Sequence, residues 1–391
     1  MRRLLVVLAL LAVALPACGG GSKTSSATRT VLTDYDHDEF AVSLMAYSPR
    51  LVPVHPGDSI EFKQAWTGEA HTVTFGTLVK GAGDFMRPFL TGQKPIPPGD
   101  DEPPELQAAL EGIPFFFGDK GANQTAAQPC YLQQGPLPAD EKACPRVPQP
   151  AFTGREAFYN SGFIPYEGNN GNTFDMKLSK DIAPGDYFFY CLLHGAGMGG
   201  YLQVKPTTVA IPSQDAVSRT ARREIDTAMK PLIKARKDAQ ANRWDLPPGA
   251  PKVDVLAGAL VPDGTLTFGL TDEFYPKKST AKVGDKVTWL LYGHAVSFRV
   301  PKYGPQLRVD PKTHAVELND QAYNPVGVKV PETEGPGGKL QVIDAGTYDG
   351  TKFLSSGVQF NVAFSVAFTK AGTYQYACAI HPRMVGTLVV K

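Results

Sequence analysis

An all-β fold in two duplicated domains is what this sequence predicts. The signs are its glycine and proline load, its short alternating apolar runs, and a repeat that spans whole domains. The 391 residues include 39 glycines and 34 prolines. That load breaks helices and rules out a helical bundle or coiled coil as the main architecture. Short strands joined by many turns fit it. The length suits two or three domains. Hydrophobic residues make up 42% and charged residues 20%, enough for packed cores and too little charge for a disordered chain. A net charge of +1 calls for no nucleic-acid partner.

Residues 1–17 read as a signal peptide. Met1-Arg2-Arg3 is a basic start, and the apolar run from Leu4 to Leu15 is shorter than the roughly 20 residues a bilayer span needs. Leu15-Pro16-Ala17-Cys18 resembles a bacterial lipobox, which implies cleavage before Cys18 and a lipid on its sulfur. Residues 18–29, with Gly19-Gly20-Gly21-Ser22, read as the tether. The mature protein is then extracytoplasmic, anchored to the bacterial cell membrane on its periplasmic or outer face. If the lipobox is not used, it is secreted.

Four further cysteines remain. Cys130 and Cys144 bracket a proline-rich stretch, and in an oxidising compartment such a local pair is most simply a disulfide. Cys191 and Cys378 lie in segments that look alike, so pairing them with each other is not the first expectation.

Those segments belong to a duplication. Gly185-Asp186-Tyr187-Phe188-Phe189-Tyr190-Cys191 has its counterpart in Gly372-Thr373-Tyr374-Gln375-Tyr376-Ala377-Cys378. Upstream, Gly57-Asp58 and then His71-Thr72-Val73-Thr74-Phe75 match Gly284-Asp285 and then His294-Ala295-Val296-Ser297-Phe298. Each unit is a Gly-Asp turn, an alternating strand, a His-initiated strand, a long excursion and a terminal hairpin. The repeats place domain one at 30–206, a linker at 207–250 and domain two at 251–391. The excess between His71 and Cys191 maps to an insertion at about 81–162, with a short helix expected at Pro104 to Glu111. Domain two carries a smaller insertion at about 301–350.

Each hairpin carries Cys, His and Met in one loop: Cys191, His194 and Met198 in the first, Cys378, His381 and Met384 in the second. With His71 and His294 upstream, each unit offers a thiolate, two imidazoles and a thioether. That donor set is the one used for a mononuclear blue-copper centre, where a trigonal His₂Cys plane with a long axial Met changes little when copper changes charge. His37, His55 and His314 stand isolated and read as surface residues.

On these motifs both units resemble cupredoxins, the type-1 copper proteins such as plastocyanin and amicyanin, over about half of the mature chain. The second loop has the amicyanin spacing of two residues between His381 and Met384. The first, with Gly195-Ala196-Gly197-Met198, looks more plastocyanin-like, although it has three residues between His194 and Met198 where plastocyanin has four. The resemblance implies two Greek-key β-sandwiches and two type-1 coppers, one per domain, in an electron-transfer protein. Copper one would take His71, Cys191, His194 and Met198. Copper two would take His294, Cys378, His381 and Met384. It also implies that redox partner proteins dock near His194 and His381, with Leu192, Leu193, Ala196, Ile380 and Pro382 as apolar surroundings.

Multicopper oxidases and copper nitrite reductases place a histidine beside the copper-bound cysteine. Here Cys191 is flanked by Tyr190 and Leu192, and Cys378 by Ala377 and Ala379. An electron carrier is therefore expected rather than an enzyme. Two alternatives stand beside it. One is a copper delivery or storage protein. The other is a reductase or oxidase with a further copper, built for instance from His37, His55 and His314 across subunits.

Ser213 to Arg243 is the one clear helix. Ser213 is the expected N-cap, with Asp215 in the first turn. Val217, Ala221, Ile225, Ala228, Met229 and Leu232 form its apolar stripe. Pro231 is expected to kink or split it. The stripe is expected to pack on one or both β domains, leaving a basic outer face.

Overall fold

The computed structural model describes residues 26–37, 41–65, 69–94, 104–110, 117–118, 121–122, 149–164, 173–244, 246–247, 249–259, 269–301, 307–309, 316–329, 340–381 and 383–391. Cys18, Cys130, Cys144, His314 and Pro382 lie outside the described residues, as does the signal segment. Among the described residues no helix is long and apolar enough to cross a membrane.

The strands assemble into two β-sandwiches with the same wiring. In the first, Ser59–Lys63 lies between Thr28–Leu32, parallel, and Thr173–Lys177, antiparallel. The facing sheet runs Leu51–Val54, Gly195–Val204, Gly185–Cys191, Thr74–Phe75, Tyr159–Asn160. In the second, Lys286–His294 lies between Val255–Ala257, parallel, and Gln359–Phe368, antiparallel. Its facing sheet runs Lys278–Ala281, Val385–Val390, Gly372–Ala377, Ser297–Phe298, Leu354–Ser355. Successive strands change sheets repeatedly, which is the Greek-key habit of sandwiches. Two extra strands, Phe274–Tyr275 and Gln341–Tyr348, widen the second sandwich.

Local chemistry explains why the repeated motifs recur. Gly57 and Gly284 adopt φ of +86° and +88°, a left-handed conformation that a β-carbon disfavours. The Asp that follows each glycine closes the turn, accepting the N–H three residues back: His55 N to Asp58 at 2.9 Å and Lys282 N to Asp285 at 2.8 Å. Beyond the turn, Ser59–Lys63 alternates, with Ile60 and Phe62 buried. At the terminal hairpins, Tyr187 donates to the Ala183 carbonyl at 2.8 Å and Tyr374 to the Lys370 carbonyl at 2.7 Å. Each ties the strand before the cysteine to its entry loop. Tyr47, Phe62, Phe75 and Phe189 fill the first core edge to face, and Trp289, Phe298 and Tyr376 fill the second.

The sandwiches interlock. Val42–Leu44, from the first repeat, pairs antiparallel with Gly269–Thr271, from the second, and with Tyr35–His37 on its other side. The Asp272 N–H continues that pairing to the Ala41 carbonyl at 2.9 Å. One contiguous apolar cluster includes residues of both sandwiches.

The expected helix spans Gln214–Gln240, with Ser213 accepting the Ala216 N–H at 3.4 Å as its N-cap. It is not split: Pro231 lies inside one continuous helix. Packing along its length outweighs the hydrogen bond that proline removes. Ile225, Met229 and Leu232 pack with Val42 and Leu44. Ala235 and Ala239 pack with Leu256, Tyr275 and Leu290. The stripe therefore covers both repeats. Inside the first insertion, Pro104–Leu110 is helical as expected. A second helix, Lys80–Leu90, was not; its Pro88 and glycines hid it.

Candidate metal centres

Both quartets place three ligand atoms together. His71, Cys191 and His194 form one group and His294, Cys378 and His381 the other, with the ligand atoms of each within 4.8 Å of one another. Neither upstream histidine initiates a strand as expected: His71 lies three residues before Thr74–Phe75, and His294 ends the strand Lys286–His294, three residues before Ser297–Phe298. Cys191 ends the strand Gly185–Cys191, and Cys378 follows the strand Gly372–Ala377. The loop histidine folds back in each case, so that Nδ1 lies 3.4 Å from Sγ for His194 and 3.5 Å for His381. In the second group, His294 Nδ1 lies 3.8 Å from Sγ and 2.9 Å from His381 Nδ1.

The sulfur environment repeats as well. The N–H that follows the upstream histidine donates to it: Thr72 N to Cys191 at 3.3 Å and Ala295 N to Cys378 at 3.4 Å. The first centre adds Thr72 Oγ1, which also accepts the Leu192 N–H at 2.9 Å; Ala295 has no counterpart. Met198 and Met384 are both buried. The second loop is closed by its own backbone, Met384 N to the His381 carbonyl and Cys378 N to the Met384 carbonyl, each at 3.0 Å.

Two serines that the sequence did not single out hold the histidine strands. Ser161 accepts the Val73 N–H and Ser356 the Val296 N–H, both at 2.8 Å. Each serine precedes a left-handed glycine, Gly162 or Gly357. The shared Ser-Gly step was the available signal.

Carboxylates back the imidazoles. Asp34 lies 3.3 Å from His71 Nε2. Asp272 lies 3.8 Å from His294 Nε2 and 3.7 Å from His381 Nε2. Glu69 reaches both repeats, with Oε2 3.9 Å from His194 Nε2 and Oε1 3.3 Å from His381 Nε2. No sequence motif marked these three acids. A carboxylate behind a ligand histidine fixes ring orientation and tautomer, freeing Nδ1 for the metal.

The protonation pattern follows from this packing. Burial pushes the Cys191 thiol up, but His194 and His71 together outweigh it and hold it well below the ordinary thiol range. Burial opposes charge on His71, yet Asp34 and Cys191 raise it to about 10. Burial would raise Glu69, but hydrogen bonding from His194 and His381 lowers it to about 2. Burial and the neighbouring His381 push His294 well below its usual value.

The loop histidines do not present an outer edge to solvent. The His194 and His381 side chains are 6% and 3% exposed, and Glu69 lies beside both. Leu192, Leu193, Ala196 and Ile380 are buried too. His37 and His55 join neither metal-ligating group among the described residues, and the His55 ring hydrogen-bonds the Val209 carbonyl at 2.8 Å.

No family model matches this sequence, and no curated protein matches it. Solved structures similar to it include a variant of amicyanin in the Cu(I) form, 22% identical over 30% of this chain and 73% of that one, TM-score 0.16. Oxidised plastocyanin from Dryopteris crassirhizoma is 20% identical over 35% of this chain and 98% of that one, TM-score 0.18. Reduced auracyanin from the photosynthetic bacterium Roseiflexus castenholzii is 16% identical over 46% of this chain and 98% of that one, TM-score 0.21. At these identities and scores the site has to be read from its own geometry.

Proposed function

We infer that the chain is an electron-transfer protein with two type-1 copper centres, one in each sandwich. The observation that carries this is the convergence, twice, of one cysteine Sγ with two histidine nitrogens at the end of a rigid sheet. The residues fit copper. A soft thiolate and imidazoles suit both of its oxidation states. Nδ1 of His71 is buried and, among the described residues, has no hydrogen-bond partner, so a metal bond would satisfy an otherwise costly polar atom.

His71, Cys191, His194 and Met198 would hold the first ion, and His294, Cys378, His381 and Met384 the second. Copper supplies one-electron chemistry when bound. The chain supplies the rest. The sheet ends fix the ligands in place, which keeps rearrangement small. Thr72 and Ala295 donate N–H groups to the sulfurs, which tunes their electron density. Asp34, Glu69 and Asp272 orient the imidazoles, and burial excludes water.

Burial also favours a carrier over a delivery protein, which must hand its ion through an exposed ligand; Cys191 and Cys378 are both 0% exposed. Redox partners then exchange electrons through the protein around His194 and His381 rather than by touching their imidazole edges. The lipobox-like segment supports an extracytoplasmic protein anchored through Cys18.

The test is metal content with the visible spectrum of residues 23–391 after copper loading. Two coppers per chain, with a blue band that Cys191→Ser and Cys378→Ser each reduce by about half, are expected. A colourless protein, or one that binds no copper, overturns the reading.

A further inference from the structure

Glu69 belongs to the first repeat, two residues before the ligand His71, yet its carboxylate serves both centres. One oxygen faces Nε2 of His194 and the other faces Nε2 of His381, at 3.9 Å and 3.3 Å. Its own side chain is 7% exposed. In both imidazoles Nδ1 is the atom turned to the cysteine sulfur, which leaves Nε2 as the atom that faces the carboxylate. A carboxylate is the one side chain that accepts on both of its ends. The corresponding position in the second repeat is Tyr292, so the bridge is not a by-product of the duplication.

The scaffold around it is built to keep the two histidines on one residue. The cross-repeat pairing of Val42–Leu44 with Gly269–Thr271 fixes the sandwiches to each other. Ser43, in that pairing, donates to Asp272, whose other oxygen lies beside His294 and His381. The helix Gln214–Gln240 packs across both repeats.

We propose that Glu69 is the bridge that joins the two centres, through the path His194–Glu69–His381, so that they exchange an electron within one chain. This rests on the two-copper reading. One electron leaves one centre and enters the other, which oxidises the first by one unit and reduces the second by one. No bond forms or breaks, both imidazoles keep their Nε2 protons, and Glu69 keeps its charge. The exchange therefore needs no co-reactant and no proton transfer. Glu69 acts as a positioning residue: it touches neither metal, and it holds two ligand histidines on one carboxylate.

Two measurements on the full chain test this. The first uses metal-free protein with ¹⁵N-labelled histidine. The Nε2–H signals of His194 and His381 should both be protected from exchange and should both shift in Glu69→Gln, whose amide end offers a donor to one of two donors. If neither signal responds, the bridge is absent whatever metal the protein binds. The second uses copper-loaded protein reduced by less than one electron per chain with a formate-derived radical, followed by freeze-quenched electron paramagnetic resonance. Redistribution between the centres should slow about tenfold or more in Glu69→Gln, with both blue bands retained. An unchanged rate with both bands intact overturns the proposal. A chain without two blue coppers fails before the radical is added, and that result overturns the two-copper reading.

Discussion

Gly258 lies so close to His294 that a β-carbon on it would stand 2.5 Å from Cδ2 and 2.6 Å from Nε2 of the imidazole. Its φ of +79° adds a conformational reason for glycine. Glycine here makes room for the imidazole of His294. Gly258→Ala should therefore displace His294 and, on the two-copper reading, remove one of the two coppers. Titration of the variant with copper should find one blue centre, and the Cys191→Ser change on that background should remove it.

The two sulfurs differ by one hydroxyl. Thr72 Oγ1 accepts the Leu192 N–H and lies 4.0 Å from Cys191 Sγ, whereas the second centre has Ala295. Thr72→Ala should strand a buried N–H, at a cost of about 1–3 kcal/mol. It should also shift the potential and absorption of the first centre alone. Urea unfolding and a redox titration followed in the visible check both; equal shifts at the two centres would contradict the assignment.

Arg236 ties the linker helix to the second sandwich through Glu273, with Nε to Oε2 at 2.7 Å and Nη2 to Oε1 at 3.2 Å. Burial would raise the Glu273 carboxyl, but Arg236 and Lys277 lower it to about 2, from an ordinary 4.5. A depressed folded-state value contributes stability above the unfolded value, and that stability is lost as pH falls from about 4.5 towards 2. Glu273→Gln should therefore be less stable than the parent at pH 7, and the gap should narrow as pH falls through that window. Urea midpoints measured across pH report it.

Leu232 is fully buried where the helix meets the strands of both repeats. A β-carbon on Gly269, of the second repeat, would meet its Cδ1 at 2.5 Å. Leu232→Ala should cost about 2–5 kcal/mol. Because this side chain serves both repeats, calorimetry of the metal-free variant should show the unfolding transition broaden or split.

The two His-Cys-His groups that the structure brings together were legible in the sequence because their motifs are local and ordered. A hairpin that carries Cys and His in its loop, paired with the short strand three residues after the upstream His, brings Cys and both His together. The duplicated Gly-Asp turns were legible for the same reason, since a left-handed glycine and a capping aspartate act within four residues. The helix was readable from its cap and stripe, although Pro231 was given too much weight: propensity is local and was overridden by packing along 27 residues.

How the two units face each other was decided only by the tertiary structure. The pairing of Ser43's strand with that of Leu270 links segments more than 200 residues apart, and short strands carry no signal for their partner. Glu69 and Asp272 looked like ordinary acids in sequence. Folding buried Glu69 against an imidazole from each repeat and Asp272 against the two of its own repeat, where an unpaired charge would be costly and a paired one orients a ring. By itself the sequence determined which side chains can hold a metal. Tertiary structure decided that the two loop histidines turn inward onto one carboxylate, because the apolar surfaces around them are buried in the fold instead of facing water.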